Sequence, residues 1–187
     1  MDVSLAQLLV PTLVAAAIVW IGSAVMHMVL PHHKSDYRKV PDEDGFLAVM
    51  RAAGTKPGQY NFPFCPSMEA MKDPAFKKKS DAGPVGVLIV GPNGIPNMGK
   101  LLSMQFLYCV IVSLVAGYVA SITMAAGADY KTVFRVTATV AWFAYAGGSI
   151  SASIWWFQPW SVTLKFVIDG FVYGLLTGGA FGWLWPA

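Results

Sequence analysis

The stretch LLSMQFLYCVIVSLVAGYVASITMA, residues 101–125, decides the fold. It holds no acidic or basic side chain over 25 positions, and about 20 apolar residues are enough for a helix to cross a bilayer. Three further apolar runs reach that length, at Leu5–Leu30, Val133–Phe157 and Val162–Trp185. The chain of 187 residues is 56% hydrophobic and 12% charged, whereas soluble domains carry about 25% charged residues. The sequence therefore predicts an integral membrane protein with four transmembrane helices.

The segment 31–100 is the part outside the predicted spans that is long enough to fold. VPDEDGFLAVMRAAG, residues 40–54, predicts a short helix, because a proline and three acids open it and a glycine ends it. SMEAMKDPAFKKK, residues 67–79, predicts a further helical piece with Asp73 as its cap. GPVGVLIVGPNG, residues 83–94, is typical of a strand between turns, and its spacing lacks the GxxxxGK[ST] of a phosphate loop.

The predicted fold class is therefore an all-α membrane protein, a bundle of four transmembrane helices with a small α+β cap between helices one and two. Its predicted divisions are 1–30 for the first transmembrane helix, 31–100 for a cytoplasmic α+β cap and 101–187 for transmembrane helices two to four.

The positive charges predict how the chain is oriented. Ten of the thirteen Lys and Arg residues lie between Lys34 and Lys100, where they alternate with acidic residues, so the net charge of +3 gives no sign of a nucleic-acid partner. Near the span ends, five basic residues lie on the side of the long loop and two on the other side. Because cytoplasmic loops carry the excess of Lys and Arg, the loop is predicted to be cytoplasmic and both termini to lie outside.

A ladder of glycines marks the last predicted span. Gly170, Gly174, Gly178 and Gly182 recur every four residues and share one helix face. The third span carries a similar set of small residues, Ala144, Gly148 and Ala152. Small residues let membrane helices approach closely, so these faces either meet within one bundle or form a contact with another chain.

Four polar residues within the predicted spans are candidates for a ligand or proton site. Connectivity places His27, Gln105, Lys165 and Asp169 in the membrane half next to the long loop. Ionisable groups inside a bilayer are costly and usually functional. Lys165 and Asp169 are four residues apart on one helix, so they share a face and can pair, or Lys165 can extend to the lipid headgroups. A polar cluster of this kind is either a structural plug or a binding site.

All three histidines lie in VMHMVLPHHKSDY, residues 25–37. Pro31 ends the first helix there, since it lacks an N–H group. His27 and His32 are five residues apart, about 140° around an ideal helix, so they would face one ion only if the chain bends. The spacing also lacks the patterns of known zinc sites. The sequence alone therefore predicts no metal ligand and no cofactor, although a haem between two copies of His27 stays open.

Four parts of the chain resemble a group of uncharacterised bacterial inner-membrane proteins with four spans. They are Trp20 to Pro31, GQYNFP, GPVGVLIVGPNG and the glycine-rich span that begins at Asp169. The resemblance implies a multi-pass protein of the bacterial inner membrane and implies nothing about a mechanism.

Three functions follow from these patterns. The first is an accessory, assembly or scaffold protein that forms a homo-oligomer or joins a larger complex in the lipid bilayer, because the glycine ladder is present and no recognisable catalytic set appears. The second is a small transporter, channel or sensor that uses His27, Lys165 and Asp169. The third is a haem or metal protein.

Overall fold

A computed structural model describes residues 2–187, so the predicted first span, 1–30, is described from its second residue. The described chain is mostly helical, with six α-helices and one two-stranded sheet. The elements in chain order are α1 (Leu9–Ala24), α2 (Glu43–Ala52), β1 (Gly58–Phe62), α3 (Pro74–Ala82), β2 (Gly86–Val90), α4 (Met98–Thr123), α5 (Tyr130–Trp155) and α6 (Trp160–Leu184).

Three helices within residues 2–187 are long and apolar enough to cross a membrane. They are Leu9–Val29, Met98–Thr123 and Trp160–Leu184. The third predicted span is also a helix, since α5 runs for 26 residues from Tyr130 to Trp155. It falls outside the apolar set because it carries Lys131, Arg135 and a series of hydroxyl side chains. The described helices are thus consistent with a multi-pass membrane protein, in which three helices have the length and composition of a span.

The four long helices contact one another side by side. Helix α1 lies against both α4 and α6. Helix α4 meets α6 at Gly117, where an added Cβ would lie 2.8 Å from the ring of Phe181. Helix α4 meets α5 where the Tyr108 hydroxyl donates to the carbonyl oxygen of Ala144 over 3.0 Å.

The glycine ladder of α6 lies against α5. A Cβ added at Gly174 would be 2.7 Å from the carbonyl oxygen of Ala138, and one at Gly178 would be 2.7 Å from the Cβ of the same alanine. A Cβ added at Gly170 would be 2.9 Å from the Cβ of Ala146, and at Gly182 it would be 2.8 Å from the ring of Tyr130. The absence of side chains on this face therefore allows the backbones of α5 and α6 to approach closely.

The small residues that meet this ladder differ from the expected ones. The α5 contacts are made by Ala138 and Ala146, while Ala144 and Gly148 are exposed and Ala152 is half-buried. A Cβ added at Gly148 would meet no atom of the described residues within 4 Å. The spacing of Ala144, Gly148 and Ala152 defines one face of α5, but the sequence does not say which face turns toward α6.

The long loop forms a compact unit of Tyr37–Ile95 with Ile154–Phe157, narrower than the predicted range 31–100. Its two strands pair antiparallel, with Gly58 opposite Val90 and Phe62 opposite Gly86.

Helix α2 starts at a cap in which Asp42 accepts from the Gly45 backbone N–H over 3.0 Å. Helix α3 starts at the predicted cap, Asp73, which accepts from the Ala75 backbone N–H over 2.8 Å. Residues 31–36 belong to the helical unit instead.

Candidate functional site

The candidate site begins where the first span leaves regular α geometry. After α1 the chain forms a π-helical turn over Val25–Val29, and Leu30 is extended with φ −77° and ψ 140°. Pro31 then opens a 3₁₀ turn that runs to Ser35. Proline at the first position of a helical turn costs no hydrogen bond, and the residue before it is biased toward extended geometry. This bend turns the segment after Pro31 toward α6 and brings the three histidines together.

Asp169 of α6 is the centre of the site. Its side chain is only 2% exposed. One carboxylate oxygen lies 2.6 Å from Nε2 of His33, and the other lies 3.2 Å from Nε2 of His32. A buried carboxylate requires such partners, because its desolvation is costly when it is left alone. The predicted site residue Asp169 therefore meets two histidines that lie 136 and 137 residues away in the chain.

His33 is held between two carboxylates. Its Nε2 faces Asp169, and its Nδ1 lies 2.5 Å from Oδ2 of Asp36. Carboxylate oxygens only accept hydrogen bonds, so both ring nitrogens donate and His33 is an imidazolium. Burial opposes this charge, but the hydrogen bonds to Asp36 and Asp169 outweigh it and raise the pKa of His33.

Asp36 is buried as well, and it links His33 to Lys165. Its side chain is 4% exposed, and its Oδ1 lies 2.5 Å from Nζ of Lys165. Burial favours the neutral carboxyl group, but the hydrogen bonds from Lys165 and His33 prevail and lower the pKa of Asp36. Lys165 also donates to the Ser35 hydroxyl over 2.8 Å.

The pairing of Lys165 with Asp169 that their spacing allows is therefore replaced by a chain of four groups. Lys165 pairs with Asp36, Asp36 pairs with His33, and His33 pairs with Asp169. Two cations and two anions balance one another in this arrangement. Sequence reasoning missed Asp36, His32 and His33 as site residues because they follow the end of the first span. The signal that was present is the i,i+3 spacing of His33 and Asp36 after Pro31.

His27 lies beside His33, and among residues 2–187 its hydrogen-bond contacts are made through Nδ1. Its ring stacks on that of His33, with 4.2 Å between centroids and 15° between planes. Its Nδ1 lies 3.1 Å from the Ser23 carbonyl oxygen and 3.4 Å from the Tyr173 hydroxyl. Because a carbonyl oxygen only accepts, Nδ1 carries the proton and Nε2 is an unprotonated base in the neutral ring.

Together His27, His33 and Asp169 form a candidate set of metal ligands. One ligand atom from each lies within 4.8 Å of the other two. Two imidazole nitrogens and one carboxylate oxygen are the donors of many zinc and iron(II) sites. Ligand histidines normally donate their other N–H to a carboxylate or a carbonyl oxygen. Asp36 and the Ser23 carbonyl oxygen have those positions here.

A cavity of about 400 Å³ opens beside these residues. His27, Asp169 and the predicted site residue Gln105 all line it. The Gln105 amide donates weakly to Sγ of Cys109 over 3.9 Å. Gln105 is thus part of the cavity wall and does not belong to the chain of Lys165, Asp36, His33 and Asp169. Most of the wall is apolar, and its larger side chains are Trp20, Met28, Met98, Leu102 and Phe166.

The structure thus brings His27 and Asp169 into one ligand set, links Lys165 to it through Asp36, and places Gln105 across the cavity. Comparisons with protein families, with curated proteins and with solved structures find no match to this chain.

Proposed function

We propose that this chain is a membrane protein of four spans that binds a divalent transition-metal ion through His27, His33 and Asp169. The observation that supports it is the convergence of three ligand atoms within 4.8 Å, from two segments far apart in the chain. The outer partners of the two histidines add to this support, because hydrogen bonds at Nδ1 leave Nε2 of each ring as the atom that can bind an ion.

The distances are close to those that an ion requires. In a tetrahedral site, ligand atoms bound to zinc at about 2.0–2.2 Å lie about 3.3–3.6 Å apart. A set within 4.8 Å, in which His33 and Asp169 are hydrogen-bonded over 2.6 Å, therefore encloses an ion after side-chain shifts of about 1 Å. The ion replaces the proton on Nε2 of His33, since ligand nitrogens must be deprotonated. With neutral histidines, Asp36, Asp169 and Lys165 carry one net negative charge, which favours a dication.

The proposal places the site at one boundary of a bacterial inner membrane. Helix α5 is the fourth span, since its 26 residues extend about 39 Å at 1.5 Å per residue and its first turns hold Lys131 and Arg135 near a surface. The excess of basic residues on the side of the long loop favours the cytoplasm for that loop and for the metal site.

The test is the metal content of the purified protein in lipid nanodiscs. Metal-free protein is mixed with Zn²⁺, freed of excess and measured by mass spectrometry of the elements. The wild type should retain stoichiometric zinc, and Asp169→Asn and His27→Gln should lose it. Asp129→Asn is the matched control, because Asp129 caps α5 by accepting from Thr132 and Lys131 and takes no part in the ligand set. Equal zinc in Asp169→Asn and the wild type would refute the proposal.

A second candidate function, self-association as a scaffold, is favoured by the outward face of α5. Ala144 and Gly148 are exposed there, and a Cβ at Gly148 would meet no atom of the described residues within 4 Å. Small residues on an outer face allow a second helix to approach closely. Native mass spectrometry of the wild type should then show multiples of 20.1 kDa. Gly148→Leu should reduce these species, Gly148→Ala should retain them, and a monomeric wild type would end this candidate.

A further inference from the structure

We infer that the cavity beside the metal ligands binds a single-chain amphiphile from the membrane, whose carboxylate head coordinates the metal ion. This inference rests on the proposed metal site and names its ligand class. His27 and Asp169 belong both to the ligand set and to the cavity wall. Three protein ligands leave at least one position open on a four-coordinate ion. Because His27 and Asp169 also line the cavity, a molecule held in the cavity lies next to the ion.

The composition of the wall favours an apolar body with one polar end. Trp20, Met28, Leu102 and Phe166 supply apolar surface, and the polar groups are few. Ligand pockets typically have volumes of about 300–1,000 Å³, so a cavity of about 400 Å³ is at the small end of this range and suits a single acyl chain.

The mouth of the cavity lies where the head of such a molecule sits. Met28 is 74% exposed at the end of the first span, and Met98 is 57% exposed at the start of the second. Both residues line the cavity, so it opens at the membrane boundary between these two helices. An acyl chain can enter there from the bilayer without leaving an apolar environment.

The charge of the metal-bound site selects an anionic head. A dication, Asp36, Asp169 and Lys165 sum to one net positive charge when the histidines are neutral. A carboxylate neutralises that charge and supplies a hard oxygen ligand. A cationic head would add to that positive charge, and a neutral head would leave it unbalanced.

The test uses protein loaded with Co²⁺ in nanodiscs, because the visible absorption of Co²⁺ reports a change in its ligands. Decanoate and acetate share a carboxylate and differ in chain length. Decanoate should change the spectrum at a concentration about tenfold or more below that of acetate, since its additional methylene groups are buried. Ala24 lines the cavity, so Ala24→Phe should fill it, raise the required decanoate concentration about fivefold or more and leave the acetate response unchanged.

Val115→Phe, on the exposed face of α4, is the matched control. It adds a ring outside the cavity and should behave as the wild type, so the partition of decanoate into the bilayer cancels in the comparison. Co²⁺ binding with no preference for decanoate, or an Ala24→Phe response equal to the wild type, would overturn the inference and leave the metal site intact. A protein that takes up no Co²⁺ would instead refute the proposed function and this inference together.

Discussion

His33 and Asp169 form a hydrogen bond of 2.6 Å across 136 residues of chain, between the segment after Pro31 and the buried part of α6. This contact joins the first span to the last at one end of the helices. His33 also bonds to Asp36, which bonds to Lys165, so a single imidazole holds two carboxylates in place. In the proposed metal-bound state the ion takes over the role of the His33 proton and holds His33 and Asp169 together itself.

Removal of the metal should lower the thermal stability of the wild type. A ligand that binds only the folded state stabilises it by mass action, by about 2.7 kcal/mol at a free concentration 100 times its Kd. Unfolding of the nanodisc-bound protein is followed by circular dichroism with Zn²⁺ and with a chelator. The midpoint should be several degrees higher with Zn²⁺. Asp169→Asn should show no such difference, and an equal shift in that variant would show that zinc acts elsewhere.

Replacing Asp36 by Asn should weaken metal binding without abolishing it. Asp36 accepts the Nδ1 hydrogen of His33 and so fixes the orientation of the ring. Loss of such an outer partner typically costs about 10–100-fold in metal affinity. The Kd for Zn²⁺ is measured by competition with a chromophoric chelator in wild type, Asp36→Asn and Glu43→Gln.

Glu43 is the control for the Asp36 variant because its exposed carboxylate pairs with Lys39, in the compact unit of the long loop. Glu43→Gln should bind zinc as the wild type does. If Asp36→Asn also keeps the wild-type Kd, the His33 ring is held by something other than Asp36.

The sequence predicted the helices well because length and hydropathy are local properties. The apolar run 101–125 became α4, and the caps and turns around Asp73 and Pro74 appeared as their residue types indicate. Helix α5 formed where a span was expected. Arg135 and the hydroxyl side chains of α5 make it less apolar than the three helices that have the composition of a span.

The site was predicted only in part because it depends on a bend and on distant partners. His27 and Asp169 were chosen for their places within spans, and both belong to the ligand set. His27 and His32 were expected to face one ion only if the chain bends. The chain does bend, through a π turn and then a 3₁₀ turn, and the histidine that joins His27 in the ligand set is His33. Nothing in VMHMV marks that π turn. The i,i+4 spacing allowed Lys165 to pair with Asp169, but in the folded chain Lys165 pairs with Asp36.

One added methyl group should distinguish the two kinds of glycine on the long helices. A Cβ at Gly178 would lie 2.7 Å from the Cβ of Ala138 and 2.9 Å from the carbonyl oxygen of Phe134. Gly178→Ala should therefore destabilise the protein by about 1–3 kcal/mol, the usual cost of overpacking. Gly148→Ala adds the same group in open space and should be neutral or slightly stabilising, since alanine favours helix. Thermal unfolding in nanodiscs measures both, and equal midpoints would show that α5 and α6 are not closely packed in the membrane.

The Asp129 cap at the start of α5 should stabilise the folded protein at neutral pH and lose this effect at acidic pH. Asp129 accepts hydrogen bonds from the Thr132 hydroxyl and from the backbone N–H groups of Thr132 and Lys131. The Thr132 hydrogen bonds lower the pKa of Asp129 below its usual value. A carboxyl group with a depressed pKa in the folded state stabilises it above the unfolded pKa, and this contribution is lost as the pH falls through the folded pKa. Asp129→Ala should thus lower the unfolding midpoint at neutral pH.

The difference between wild type and Asp129→Ala should stay constant from neutral pH down to about pH 5 and shrink toward pH 3. Asn97 provides the matched control, because it caps α4 with a side chain that does not titrate and accepts from the Lys100 backbone N–H over 3.0 Å. Asn97→Ala should lower the midpoint by an amount that is the same at pH 7 and pH 3. If both differences shrink in parallel, acid acts on the whole fold. If neither shrinks, the Asp129 carboxylate does not form this cap in the membrane-bound protein.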